Sequence, residues 1–304
     1  LAIRDAATVI LTREHDEGWQ VLLVKRSAKS AFMPDLHVYP GGALDPQDVS
    51  FEGADDAARG ICQGFTQQDA FARLAEPHIT PAQALGLYFA AIREVFEEAG
   101  LLLARRQDGQ EFDANGPGGE AFAAYRESLM SGALSLRALL ERERLFIEPE
   151  KLGYFARWIT PDGGTRRFDA RFFIVRALRA QRAIVDLGEV VSHIWDTPGA
   201  FLARYARGEI ELSPPTYSTL LRLAEFEDLE ALERHAALCR PAPMLPDVRP
   251  EAPQPLFLLP HHPDYSRTLL QEELAPRWRQ DLCRDTPAWK GIMRSKEGTW
   301  NTLP

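Results

Sequence analysis

The chain has 304 residues, 45% of them hydrophobic and 26% charged, enough for one large domain or two modest ones and too apolar for global disorder. Its net charge of −9 argues against broad nucleic-acid binding by simple electrostatics. No apolar run reaches the roughly 18 residues of a membrane span, and the opening Leu1-Ala2-Ile3-Arg4-Asp5 lacks an apolar signal core. Cys62, Cys239 and Cys283 are odd in number and show no CxxC or Cys/His ligand spacing. A disulfide framework or structural zinc is therefore not expected, and a reducing cytoplasm is the expected compartment.

In chain order, Ala6–Leu11 and Trp19–Arg26 read as strands around a polar turn, His15-Asp16-Glu17-Gly18. Leu36–Tyr39 is a short third strand ending at the sharp turn Pro40-Gly41-Gly42. Short helical pieces such as Thr66–Ala75 follow. Thr80-Pro81 then opens a long helix, with threonine at the N-cap and proline in the first turn, and Gly100 closes it. Residues 105–150 read as an insertion, with a loop over Asp113–Gly119 and helices near Glu120–Met130 and Leu136–Arg144. Strands are expected at Gly153–Thr160, Ala170–Leu178 and Val190–Trp195, and helices at Pro198–Arg207 and Pro215–Glu227. Beyond Arg240 the chain is proline-rich, and 241–304 reads as an extension wrapping the domain, part irregular and part helical. His261-His262 with Asp264 invites a metal reading, but no partner stands at motif spacing, so packing of the tail is expected. Trp195, Phe172 and Phe173 read as core rather than as stacking residues.

The chemistry concentrates in Arg93-Glu94-Val95-Phe96-Glu97-Glu98-Ala99-Gly100-Leu101. On a helix, Glu97, Glu94 and Glu98 fall at about 40°, 100° and 140° from Arg93, while Leu85, Tyr88, Phe89, Ile92, Val95, Phe96 and Ala99 fill the opposite arc. Like charges at these spacings repel by a few tenths of a kcal/mol per pair. A hard divalent cation such as Mg²⁺ or Mn²⁺ would reverse that sign. Three glutamates alone are more often a solvated face; the arginine, the closing glycine and the upstream Pro-Gly-Gly argue otherwise.

This stretch resembles the core of the Nudix box, Arg-Glu-apolar-any-Glu-Glu-any-Gly-apolar, at every specified position, and Gly42 resembles the glycine that begins the box. Arg93 lies 51 positions beyond Gly42, about 37 more than an uninterrupted box allows. Asp48 stands where the first box glutamate would sit. The interruption resembles the peroxisomal coenzyme A diphosphatase-like branch, as do Trp158-Ile159-Thr160-Pro161, Arg167-Phe168-Asp169 and Leu212-Ser213-Pro214-Pro215-Thr216. The resemblance covers roughly residues 5–235. Leu22-Leu23-Val24-Lys25-Arg26-Ser27, then Tyr39-Pro40-Gly41-Gly42, is similar to a coenzyme A signature, with Ala31 and Asp35 in place of its arginine and glycine.

The resemblance implies an α/β fold, the Nudix α/β/α sandwich of a mixed sheet between helices. The domain would cover 1–240, with one insertion inside the box at about 49–85 and a second, helical one at about 105–150, followed by the 241–304 extension. It implies a Mg²⁺- or Mn²⁺-dependent diphosphatase acting on a small-molecule nucleotide, with no nucleic-acid or membrane partner; a homodimer is compatible with it. Coenzyme A or acyl-coenzyme A is the leading substrate. ADP-ribose or NADH is an alternative, and a non-catalytic nucleotide-sensing module is an alternative of another class. Glu94, Glu97, Glu98 and the Gly42 carbonyl are the implied metal ligands. Glu97, Glu98, Arg93 and Glu189 are the catalytic candidates: Arg93 orients carboxylates, and the general base is a box glutamate or one from a later loop, where Glu189 is the candidate. Arg26, Arg167 and Arg171 are candidate substrate contacts, with ion pairing as the alternative for the last two.

Overall fold

Strands β1 (Ile3–His15) and β2 (Gly18–Arg26) form a hairpin whose two strands then part. In the computed structural model, which describes residues 2–16, 18–30, 33–50, 60–116, 119–162, 166–178, 181–184, 188–249, 256–260, 262–265, 291–294 and 300–303, that parting creates the seat of the site. One edge of β1 pairs in parallel with β8 (Arg167–Arg176) from Ile3 to Thr12. Its other edge pairs with β2 from Thr12 to His15, and with β4 (Gly41–Ala43) from Ala6 to Thr8. Val9 N–H donates to Pro40 O at 2.8 Å and Leu44 N–H to Asp5 O at 2.9 Å, so the Pro-Gly-Gly turn takes up the ladder where β2 leaves it. β2 in turn pairs with β3 (His37–Val38) and, on its far edge, with β9 (Val190–Asp196). β7 (Gly153–Ile159) lies antiparallel to β8, and β10 (Pro243–Met244) lies parallel to β7. The result is an eight-stranded mixed sheet.

Both faces of this sheet are covered, so β1 and β2 carry near-continuous apolar runs rather than clean alternation. Ala7, Val9, Leu11, Leu22 and Val24 pack under α2 (Pro81–Ala99). Ile10, Val21 and Leu23 face the other way, toward α5 (Pro198–Ala206), α6 (Pro214–Leu223) and α7 (Leu229–Leu238). Phe172 and Phe173 are buried core residues, as expected, while Trp195 is partly buried with the Arg13 guanidinium 4.4 Å from its ring.

Local chemistry accounts for α2. Thr80 Oγ1 accepts from Gln83 N–H at 3.1 Å, the Gln83 side chain returns the bond to Thr80 N–H, Pro81 needs no partner in the first turn, and Gly100 ends the helix at φ 67°. Its surroundings depart from an ordinary amphipathic helix. α1 (Gln67–Leu74), from the segment between the two halves of the box, packs on it, and α3 (Glu120–Met130) packs through Phe122 against Phe96. With α4 (Leu136–Glu143) and the short pair β5 (Arg105–Arg106) and β6 (Leu145–Phe146), these close over it. Arg93 and Glu98 are consequently buried along with the apolar face.

The described part of the tail is largely strand, where irregular and helical segments were expected; the rest of 241–304 lies outside the described residues. Among its described residues, β10 extends the main sheet, and β11 (Asp247–Arg249), β12 (Leu256–Leu258), β13 (Gly291–Arg294) and β14 (Trp300–Leu303) form a four-stranded antiparallel sheet. Proline at the first position of an edge strand such as β10 interrupts no ladder, so the proline-rich composition did not forbid strands. His261 and Cys283 lie outside the described residues. Among those described, no helix is long and apolar enough to cross a membrane.

Candidate active site

The two glycines of the turn are required by close approach rather than by backbone dihedrals. A Cβ on Gly42 would lie 2.2 Å from Glu94 Oε1, and one on Gly41 would lie 2.5 Å from Ala7 O and 2.7 Å from Thr8 Cα. Their smallness lets the turn sit between β1 and α2. Gly41 N–H donates to Glu98 Oε2 at 3.0 Å. The expected first half of the site and the expected second half are therefore in contact, despite the 51 positions between Gly42 and Arg93.

Arg93 joins them. Its Nε and Nη2 donate to the two oxygens of Asp48, each at 3.0 Å, a bidentate pair in a buried setting. Nη2 also donates to Ala43 O at 2.9 Å, and Nη1 to Glu94 Oε1 at 2.9 Å and Glu97 Oε2 at 3.2 Å. Burial alone would lower the Arg93 pKa, but Glu94, Asp48 and Glu97 outweigh it and raise it. One fixed cation thus orients two of the three box carboxylates and ties them to the loop before the interruption.

The acids remain short of positive charge. Burial pushes Glu94 up to about 7, against the pull of Arg93 and with Glu97 adding to the rise. Glu97 is raised by burial, partly offset by Arg93. Glu98 is held well above the ordinary carboxylate range by burial and then by Glu94, with Arg26 opposing. An all-carboxylate donor set, largely desolvated and packed against Gly42 where a Cβ would displace the Glu94 carboxylate, fits a hard divalent cation. Asp5, His78 and Asp169 form a geometrically tighter group, with ligand atoms within 4.8 Å of one another. It is a poorer cation site, because Arg171 Nη1 donates to Asp5 Oδ1 at 2.6 Å and Arg157 Nη2 to Asp169 Oδ2 at 2.7 Å, leaving two guanidiniums where a cation would go.

Arg26 and Glu189 come together at the rim. Arg26 Nη1 lies 3.6 Å from Glu98 Oε1, and Arg26 Nη2 pairs with Glu189 Oε1. Ser27 N–H donates to Glu189 O at 2.8 Å. Asp35, where the similar signature has glycine, sits in the left-handed region at φ 59°, with Lys25 Nζ 3.6 Å from its carboxylate. Ala31 lies outside the described residues.

Arg167 and Arg171 do not meet the expectation of substrate contacts. Arg171 is wholly buried, donating to Asp5, to both oxygens of Glu76 and to Asp169 O. Arg167 is buried, donates to Thr160 O at 3.0 Å and lies 3.4 Å from Asp162. Their guanidiniums hold β8 to its neighbours, the ion-pair alternative. Glu76 and Arg126 escaped sequence reasoning: Glu76 anchors the segment between the box halves onto Arg157 and Arg171, and Arg126 Nε donates to Glu97 O at 2.8 Å. Neither belongs to any local pattern.

Comparison with known proteins follows the same lines. The family model of the NUDT19 Nudix domain matches residues 3–223. The human acyl-coenzyme A diphosphatase NUDT19 is 30% identical over 239 residues, which are 72% of this chain and 64% of that protein. Its chicken (Gallus gallus) counterpart of the same name is 27% identical over 72% of this chain and 65% of that one. The chain thus spans a little under two thirds of the length of these relatives. A crystal structure of a NUDIX hydrolase from Alicyclobacillus acidocaldarius is 25% identical and superposes with a TM-score of 0.60, covering 77% of this chain and 96% of that one. With the split box reunited around Arg93 and the family model spanning nearly the whole sheet and both helical layers, the chain belongs to the NUDT19 Nudix domain family.

Proposed function

We propose that this chain is a divalent-metal-dependent hydrolase that cleaves the pyrophosphate of coenzyme A or an acyl-coenzyme A. The observation that carries the catalytic part is the convergence of Glu94 and Glu98 on the Gly41-Gly42 turn, with Arg93 holding Glu94 and Glu97 and bridging to Asp48. The substrate part rests on the two relatives named as acyl-coenzyme A diphosphatases.

In this reading Glu94, Glu97 and Glu98, with the Gly42 carbonyl, hold Mg²⁺ or Mn²⁺. When bound, such an ion supplies neutralisation of phosphate-oxygen charge and a more acidic water. Arg93 keeps Glu94 and Glu97 at fixed positions, so little reorganisation is needed as charge develops. Glu189, half exposed at the rim, takes the proton of the attacking water. Water adds to one phosphorus and the other phosphate departs with its group, giving 3′,5′-ADP and a phosphopantetheine. Two free buried thiols, Cys62 and Cys239, favour a reducing compartment such as the cytoplasm.

The Ala31 and Asp35 departures favour a second reading, in which another dinucleotide such as ADP-ribose or NADH is hydrolysed. A sensing module without turnover is disfavoured by the full set of box glutamates. The test is turnover of coenzyme A, ADP-ribose and NADH by purified protein with Mg²⁺, with product masses recorded. Release of 3′,5′-ADP from coenzyme A is the expected result; turnover of ADP-ribose alone would overturn the substrate assignment. Glu97→Gln, isosteric and still able to accept from Arg93, should lower kcat by about a hundredfold or more with the fold retained. Undiminished turnover in that variant would remove Glu97 from the ligand set.

A further inference from the structure

We infer that Arg26 is a positioning residue that holds Glu189 beside the box, and that it is not a substrate clamp. The inference rests on the reading of Glu189 as general base.

Three observations carry it. The first is backbone. β2 and β9 run in plain antiparallel register from Val21↔Asp196 to Lys25↔Ser192, and then the register slips, so that Arg26 faces Val190. The one extra residue in β9 breaks the alternation at the point where β2 reaches the site. Such bulges re-aim side chains and sharpen local twist. The slip also leaves Glu189 next to the last pair, where its carbonyl accepts from Ser27 N–H at 2.8 Å. The backbone of the base is thereby fixed to the strand that carries the arginine.

The second is the contact pattern of the guanidinium. Nη1 lies 3.6 Å from Glu98 Oε1, and Nη2 pairs with Glu189 Oε1. Two different nitrogens of one rigid plane face two carboxylates from elements 91 positions apart in the chain. A planar fork fixes the distance and direction between its two partners; an ammonium could neutralise both but could not set their mutual geometry.

The third is exposure. The Arg26 side chain is 11% exposed and that of Glu189 56%. The arginine is enclosed between its partners, whereas the glutamate reaches solvent, from which the attacking water must come. Without a cation between them, Glu98 and Glu189 repel, and a half-exposed glutamate would turn outward. Arg26 removes that repulsion and converts Glu189 from a surface carboxylate into one held at the rim. The same engagement makes Arg26 a poor phosphate clamp, since its Nη1 and Nη2 already face Glu98 and Glu189.

The test compares the full chain as wild type, Arg26→Lys, Arg26→Gln, Glu189→Gln and the Arg26→Gln/Glu189→Gln double variant, with coenzyme A and Mg²⁺, after thermal melts establish folding. Arg26→Gln should lower kcat by about 10- to 100-fold, the scale of a misplaced catalytic group, with KM changed less than about twofold. Arg26→Lys, which keeps the charge and loses the fork, should recover only part of that loss. Glu189→Gln should lower kcat by about a hundredfold or more. The double variant should be no slower than Glu189→Gln, because there is no base left to position. A rise in KM with kcat preserved in both Arg26 variants would make Arg26 a substrate contact. Losses that multiply in the double variant would show Arg26 acting apart from Glu189. Either result overturns the inference while leaving the base in place. Full turnover in Glu189→Gln removes the base itself, and the positioning role falls with it. If Arg26→Gln fails to fold, Arg26→Lys and its double variant with Glu189→Gln carry the same comparison.

Discussion

At the residue scale, the two glycines of the Pro40-Gly41-Gly42 turn separate activity from stability. A methyl group at residue 42 meets the Glu94 carboxylate, the far end of a flexible side chain that can swing aside. A methyl group at residue 41 meets the backbone of Ala7 and Thr8, which cannot yield without moving β1. Gly42→Ala should therefore melt near wild type yet lose most of its turnover and metal affinity, since its own ligand has been displaced. Gly41→Ala should be destabilised by about 1–3 kcal/mol, the usual cost of overpacking. Melts and Mg²⁺ titrations on the two variants check this, and the reverse ranking of their melting temperatures would contradict it. The grouping of Glu94, Glu97 and Glu98 on one arc of α2 was legible from spacing, because a helix fixes the direction of its side chains within a turn. Arg171 was misread because an arginine near others reads the same whether it faces solvent or a buried acid; its partners Asp5 and Glu76 are 166 and 95 positions away.

At the element scale, the segment between the box halves is fastened by charge. Glu76 accepts from Arg171 and from Tyr154 Oη at 2.7 Å, and it lies 3.2 Å from Arg157. Burial alone would raise its pKa, but Arg171 and Arg157 outweigh it and hold it below its ordinary value of 4.5. A carboxylate depressed in the folded state contributes stability that is complete above its ordinary value and is lost as pH falls through the folded value. Acid unfolding below about pH 4.5 should thus include loss of this anchor. Glu76→Gln leaves two buried guanidiniums undercompensated and should cost about 3–5 kcal/mol at pH 7. Its stability should also fall less steeply than that of wild type below pH 4.5. Chemical denaturation from pH 7 to pH 3 measures both; parallel curves for variant and wild type would exclude the anchor. The caps of α2 were visible in Thr80, Pro81, Gln83 and Gly100, because capping is local. The near-complete burial of α2 was not visible, because it depends on where two remote segments return.

At the scale of the whole molecule, the Arg93–Asp48 pair holds the two halves of the box together through protein groups alone. Chelation should therefore abolish turnover while leaving the far-ultraviolet dichroism unchanged. Added Mg²⁺ should stabilise the fold by mass action, by about 2.7 kcal/mol at a hundred times its Kd, and so raise the melting temperature. Glu97→Gln should show a smaller rise, and an equal rise in wild type and variant would mean the ion binds elsewhere. The strands in the described part of the tail were not read from the sequence because β10 to β14 are only two to four residues long, and strand pairing is set by partners more than by composition. The amino-acid sequence by itself determined the helix of the box, its caps, its arc of three glutamates and the first two hydrophobic strands, since each follows from spacings of a few residues, while the α/β sandwich was legible through the resemblance those residues carry. Only the tertiary structure decided that Asp48 meets Arg93 across the interruption, that Arg171 is a buried strut, and that Arg26 spans Glu98 and Glu189. Those outcomes depend on the parting of β1 from β2 and on one slipped register between β2 and β9, geometry that no local pattern of residues encodes.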